Sequence, residues 1–283
     1  VRRLKGLESI IDLYQVHHLM GPDGWYFSGE GDALAEDPLH PGFTTLKQLY
    51  LKADPSYQGR YTVPMLWDKK NDVPVNNESS EIIRMLALEF DDLLPAALRE
   101  DARPGGGLYP DSLRAAIDEL NGWVYDTVNN GVYKVGFARS QAAYDENIAG
   151  VFSSLDRLEA QLGEDGGRRF LLGAHLTEAD VRLYTTLARF DAAYGPVMQC
   201  TLRSIRHGYP RLHRWLRRLY WDSDGDFRGA FGDTTAPMLD KYAAGYANAR
   251  YKVVYGEAGP LIVPALPPVE ELIPPLTDAE AQL

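Results

Sequence analysis

The chain has 283 residues, 45% of them hydrophobic and 24% charged, a globular composition with room for about two domains. Its formal net charge of -11 argues against nucleic acid, whose phosphates need a basic surface, and it has no run of roughly 18 apolar residues to cross a membrane. The single cysteine, Cys200, rules out an internal disulfide or a cysteine-based zinc site and fits a reducing, cytoplasmic setting. The histidines show no metal-ligand spacing; His17 and His18 are adjacent, which on a strand points them to opposite faces.

In chain order, VRRLKGLESIID reads as the back half of an amphipathic helix, with Leu4, Leu7 and Ile11 on one face. A domain seldom starts inside a helix, so residues ahead of Val1 are expected to complete it. Asp12 to Met20 reads as a short strand ended by Gly21-Pro22-Asp23-Gly24. Thr44 to Asp54 predicts a helix with a threonine cap. Val63 to Trp67 and Val73 to Val75 flank a polar turn, the pattern of a β-hairpin. Glu78 to Phe90 predicts a helix that buries Ile82, Ile83, Leu86 and Phe90.

With one strand restored upstream, this order is the βαβαββα arrangement of a thioredoxin-like domain, assigned to residues 1–92. Beyond it the periodicity is helical throughout, near Pro110 to Asn129, Ser140 to Leu162, Glu178 to Tyr194 and Tyr209 to Trp221. These predict an all-helical domain over residues 93–255, followed by a proline-rich extended tail over 256–283. Thr177 with Asp180 three residues on is a capping box, and Leu176 supplies its hydrophobic staple.

Long stretches go further than element order. VPMLWDKKNDVPVNNESSEIIRML (Val63 to Leu86), MGPDGW (Met20 to Trp25), NNGVYKVGFA (Asn129 to Ala138), LLGAHLTEADVRLYTTLARFD (Leu171 to Asp191) and QCTLR (Gln199 to Arg203) resemble the glutathionyl-hydroquinone reductases. These are the Xi class of glutathione transferases. The resemblance runs from Val1 to about Trp221 and is weak beyond Asp222. It implies the glutathione-transferase fold: an α/β, thioredoxin-like N-terminal domain followed by an all-α domain.

The resemblance also implies a site. Val63-Pro64 is expected to be cis and to offer the Val63 backbone to a tripeptide thiol as one strand pairs with another, although a proline there also simply opens an edge strand. Glu78 and Ser79 open a helix whose free N–H groups suit a ligand carboxylate, with Glu78 left for the α-amino group. The same residues also fit plain capping with Asn77 as the cap. Trp25 over the thiol ligand and Arg60 against its second carboxylate are further candidates, each equally readable as a surface residue. Tyr133, with Tyr251 as a second, matches positions that touch the aromatic substrate in the family; for Tyr133 the alternative is a buried core tyrosine.

The implied reaction uses glutathione or a similar low-molecular-weight thiol and no metal. A cysteine thiolate in a Cys-Pro-Trp setting, one to three helical turns ahead of Val1, attacks the sulfur of a glutathionyl-hydroquinone. The hydroquinone leaves, and a second thiol resolves the mixed disulfide. Cys200 is expected to be a buried structural residue. With another residue at the nucleophile position the same fold conjugates thiols to electrophiles, and with none it binds thiols without catalysis. The resemblance also implies a homodimer.

Overall fold

A computed structural model describes residues 1–164, 167–222, 225–256 and 262–281. The chain divides into one unit of Arg2 and Leu4–Leu94, and a second of Val1, Arg3 and Pro95–Leu283.

In the first unit, helix α1 (Leu46–Ala53) starts at Thr45, whose hydroxyl accepts from the Gln48 N–H while the Gln48 side chain accepts from the Thr45 N–H at 2.9 Å. That reciprocal cap satisfies donors the helix itself cannot. Leu46, Leu49 and Tyr50 share the buried face and gather Trp25, Phe43, Tyr57, Met65 and Trp67 around them. Strand β1 (Leu66–Asp68) pairs antiparallel with β2 (Val73–Asn76), with Trp67 opposite Pro74 and a register shift between Leu66 and Trp67. Pro74 is tolerated because it sits in an edge strand. The hairpin turn is held by Asp68, whose carboxylate accepts from the N–H groups of Lys70 and Asn71 at 2.8 and 3.1 Å. Helix α2 (Ser79–Leu88) buries Ile82 and Ala87, while Ile83 and Leu86 are half-buried and Phe90 lies past its end.

Two expectations fail in this unit. The opening segment is a series of turns, because Gly6 takes a φ of 69° and interrupts the helical ladder; Leu4 and Leu7 are nonetheless buried. Asp12 to Met20 forms no strand among the described residues. A strand exists only through its neighbours, and this segment makes only isolated bonds, such as His17 N–H to Tyr26 C=O at 2.8 Å. Without the pleat, His17 and His18 do not diverge; their ring centroids are 4.4 Å apart.

The second unit is helical: α3 (Arg114–Val124), α4 (Gly131–Gly136), α5 (Gln141–Gln161), α6 (Glu178–Arg189), α7 (Ile205–Gly208), α8 (Pro210–Tyr220), α9 (Gly232–Thr235) and α10 (Leu239–Tyr255). A π-helical turn extends α3 over Tyr125–Asn129, and another extends α6 over Phe190–Tyr194. The capping box forms as expected, but Asp180 does more than cap. Fully buried, its carboxylate accepts from Thr177 N–H at 3.0 Å, Thr177 Oγ1 at 3.0 Å, Leu171 N–H at 2.9 Å and Trp215 Nε1 of α8 at 2.9 Å.

The tail is not wholly extended. It carries two further short helices, α11 (Val269–Leu272) and α12 (Asp278–Ala281), and buries Leu272 and Ile273. The cause is Arg217 of α8, which donates to the Pro274 carbonyl at 2.6 Å and pairs with Glu280 at 2.7 Å. Pro260 lies outside the described residues.

In the first unit His40 bridges two carboxylates, Asp37 at 2.7 Å and Asp72 at 2.6 Å, and so ties the loop before α1 to the hairpin turn. Burial opposes the imidazolium charge, but the two carboxylates outweigh it and raise the pKa. Asp72, bonded to Lys52 and His40, is held down to about 2. A raised histidine pKa stabilises the fold fully below the unfolded value near 6.5 and progressively less as pH rises through the folded value. Denaturant midpoints are therefore expected to fall between pH 6 and pH 9 in the wild type. His40→Asn should flatten that decline.

Candidate functional site

In the first unit the chain passes from Arg60 through a cis Val63–Pro64 peptide into β1, and later turns from β2 into α2 at Glu78. Tyr50, buried on α1, joins the two segments. Its hydroxyl donates to the Thr62 carbonyl at 2.9 Å and accepts from the Asn77 side-chain amide at 2.9 Å. Asn77 is therefore not the cap of α2, as capping rules alone had it. Glu78 is the N-cap residue, and its side chain makes no capping bond. The Glu78 N–H is taken by Asn76 Oδ1 at 2.6 Å.

What this leaves unpaired defines the site. Val63 and Pro64 are exposed, and the Val63 N–H and C=O have no backbone partner among the described residues. Ser79 and Ser80 open α2 with N–H groups that likewise have none. The Glu78 carboxylate and the Ser79 hydroxyl are exposed and unbonded among the described residues. A helix start with free N–H groups carries partial positive charge, which attracts a carboxylate. The arrangement thus offers a backbone edge for an extended peptide, a carboxylate cradle, and one anionic side chain for an ammonium group. A cleft of about 330 Å³ lined by Tyr50, Tyr57, Met65, Asn76 and Asn77 lies in the same unit.

The two weaker candidates part ways. Trp25 packs on the cluster of Leu46, Leu49 and Tyr50, and its carbonyl accepts from the Leu46 N–H at 2.9 Å. Arg60 is exposed; its carbonyl accepts from Tyr57 Oη at 3.1 Å, and its guanidinium is unpaired among the described residues.

In the second unit Tyr133 of α4 meets two other tyrosines. Its hydroxyl lies 3.2 Å from that of Tyr194 and 2.9 Å from that of Tyr246, which are themselves 2.8 Å apart. Burial raises the pKa of Tyr194 and Tyr246 above the usual phenol range, so both stay protonated at neutral pH. Tyr194 and Tyr246 were missed by sequence reasoning; the one legible cue was Tyr242 and Tyr246 four apart on a helix in the weakly matching segment. Tyr251, one turn and more further along α10, has its ring 5.0 Å from that of Tyr255 at a tilt of 48°, and no hydrogen bond or ring contact joins it to Tyr133 among the described residues.

Cys200 is buried, and burial pushes its thiol up to about 12, which leaves negligible thiolate at neutral pH. Among the described residues no cluster of three or more His, Cys, Asp or Glu side chains is placed to hold a metal ion, and no helix is long and apolar enough to cross a membrane.

Comparison with known proteins places this geometry in context. The family models for the glutathione S-transferase N-terminal and C-terminal domains match residues 1–89 and 141–218. The chain belongs to the glutathione S-transferase family, in its Xi class together with the glutathionyl-hydroquinone reductases. The glutathione S-transferase Xi of Phanerochaete chrysosporium is similar in structure, with a TM-score of 0.84 at 45% identity over 97% of this chain and 86% of that one. A glutathionyl-hydroquinone reductase of Escherichia coli is 51% identical over 78% of this chain and 63% of its own length. The glutathione-bound structure of that protein gives a TM-score of 0.77 at 44% identity, covering 94% of this chain and 79% of that one. A glutathione S-transferase omega-like 2 protein of Schizosaccharomyces pombe is 51% identical over 83% of this chain and 71% of its own length.

The Tyr50 bridge carries a consequence for stability. Tyr50→Phe keeps the ring in the core but releases both bonded segments, at a cost of about 1 kcal/mol. The thermal midpoint, measured by calorimetry, is expected to fall by about 2–4 °C. An unchanged midpoint would mean that the segments hold their positions without the hydroxyl.

Proposed function

We propose that this chain binds glutathione through Val63, Glu78 and Ser79 and uses it to reduce glutathionyl-hydroquinones. The carrying observation is the set of backbone and side-chain groups left unpaired at Val63 and at the start of α2. An extended γ-glutamyl tripeptide has the complementary features. Its cysteinyl amide pairs with the Val63 backbone, its γ-glutamyl carboxylate meets the Ser79 and Ser80 N–H groups and the Ser79 hydroxyl, and its ammonium meets Glu78. Arg60, whose guanidinium is unpaired among the described residues, takes the glycyl carboxylate. Trp25 and Pro64 act in this reading by shaping the wall that the thiol passes.

The chemistry follows from the class. A cysteine thiolate other than the buried Cys200 attacks the thioether sulfur; an S–S bond forms and the C–S bond breaks, its electron pair passing to the ring, which takes up a proton. A second glutathione then resolves the disulfide. Tyr133 holds the ring oxygen of the aromatic substrate, with Tyr251 as a second contact. The relatives' names and the bound glutathione in the Escherichia coli protein support this reading. A sequence with one cysteine supports a reducing, cytoplasmic setting, and the class resemblance supports a homodimer.

Glu78→Ala and Ser79→Ala, both at exposed positions, should each raise the glutathione Kd by about tenfold without loss of secondary structure. Unchanged affinity in both would overturn the site. Assays with a glutathionyl-hydroquinone and with an aryl halide separate the chemistries: release of free hydroquinone supports reduction, whereas conjugation of the halide alone points to a transferase that leaves thioethers intact.

A further inference from the structure

The three tyrosine hydroxyls in the second unit form a nearly closed triangle, and its sides are unequal. Tyr194 to Tyr246 is 2.8 Å, Tyr246 to Tyr133 is 2.9 Å, and Tyr133 to Tyr194 is the long side at 3.2 Å. Each hydroxyl has one proton to donate. In a closed ring every proton is used internally, and Tyr133 has only a lone pair to offer a ligand. Opening the longest side converts the ring to a chain in which Tyr194 donates to Tyr246, Tyr246 donates to Tyr133, and the Tyr133 proton turns outward. Tyr194 is almost fully buried, whereas Tyr133 and Tyr246 keep part of their surface exposed, so the chain runs from the interior toward solvent.

We infer that Tyr246 and Tyr194 are positioning residues, a hydroxyl relay that makes Tyr133 a strengthened hydrogen-bond donor to the phenolate oxygen of a bound aromatic. This rests on reading Tyr133 as the aromatic contact and adds the groups that act through it. Successive hydroxyls polarise one another, so each donor upstream strengthens the last bond. A phenolate gains more from that bond than the neutral phenol does. Arg189, at the end of α6, adds to the preference for an anion: its guanidinium lies 4.6 Å over the Tyr242 ring, and its buried Nε has no hydrogen-bond partner among the described residues. Tyr246 occupies the middle of the chain and Tyr194 its far end, so the two substitutions differ in weight.

The test uses para-nitrophenol, whose ionisation is read directly from the visible absorbance of its phenolate, bound to the full chain and to Tyr133→Phe, Tyr246→Phe and Tyr194→Phe. Phenylalanine keeps the packing and removes only the hydroxyl. The wild type should lower the apparent pKa of the bound phenol, which is the same as binding phenolate more tightly than phenol. Tyr246→Phe should cut the phenolate-to-phenol affinity ratio by about tenfold, close to the effect of Tyr133→Phe, and Tyr194→Phe by about threefold. A merely structural loss lowers both affinities together and leaves the ratio where it was. A ratio that moves with Tyr133→Phe but not with Tyr246→Phe overturns the relay and keeps Tyr133 as a contact. A ratio unmoved by Tyr133→Phe, or a wild type that binds no phenol, overturns the aromatic-site reading and the relay with it.

Discussion

The second unit is organised around a carboxylate out of reach of water. Asp180 is completely buried, and desolvation raises its pKa against the pull of four hydrogen-bond donors. Those donors come from three places: the start of α6, the loop at Leu171, and Trp215 in the middle of α8. Removing the carboxylate would strand buried donors at roughly 1–3 kcal/mol each, though such losses do not simply add. The arrangement sets where α6 begins. At its other end stand Arg189 and the π-helical turn with Tyr194, so the helix that carries part of the tyrosine cluster is anchored at its start by this carboxylate.

The first unit solves the opposite problem. There the polar groups that matter are ones the fold declines to satisfy. Tyr50 spends its hydroxyl on Thr62 and Asn77, which holds the cis-proline segment and the entry to α2 in fixed positions. The neighbouring N–H groups of Val63, Ser79 and Ser80 are then left without a backbone partner among the described residues. Open groups on a fixed frame suit recognition, because binding has little conformational entropy left to lose. Asn77 had looked like a cap from its position alone. Its diversion to Tyr50 is what leaves the helix start free.

Local rules made much of this legible. Thr45 with Gln48 and Thr177 with Asp180 are caps three residues apart, and the hairpin and the long helices follow periodicity. The rules failed where a single residue or a distant partner decided. Gly6 turned an apparent helix into a run of turns, and the Asp12 to Met20 segment lacks a ladder to make it a strand. Arg217 drew a proline-rich tail into short helices. The site divides the same way. Val63, Glu78 and Ser79 sit in one continuous motif, but Tyr133 lies 61 residues from Tyr194 and 113 from Tyr246, a separation over which local spacing carries no signal.

In the proposed reading glutathione binds where the first unit leaves backbone groups without a partner among the described residues. A glutathione titration followed through assigned backbone amide resonances reads that binding residue by residue. Saturable shifts led by the Val63, Ser79 and Ser80 amides, the three N–H groups that gain a partner, are expected. Shifts that leave these three amides unmoved while others respond would overturn the site.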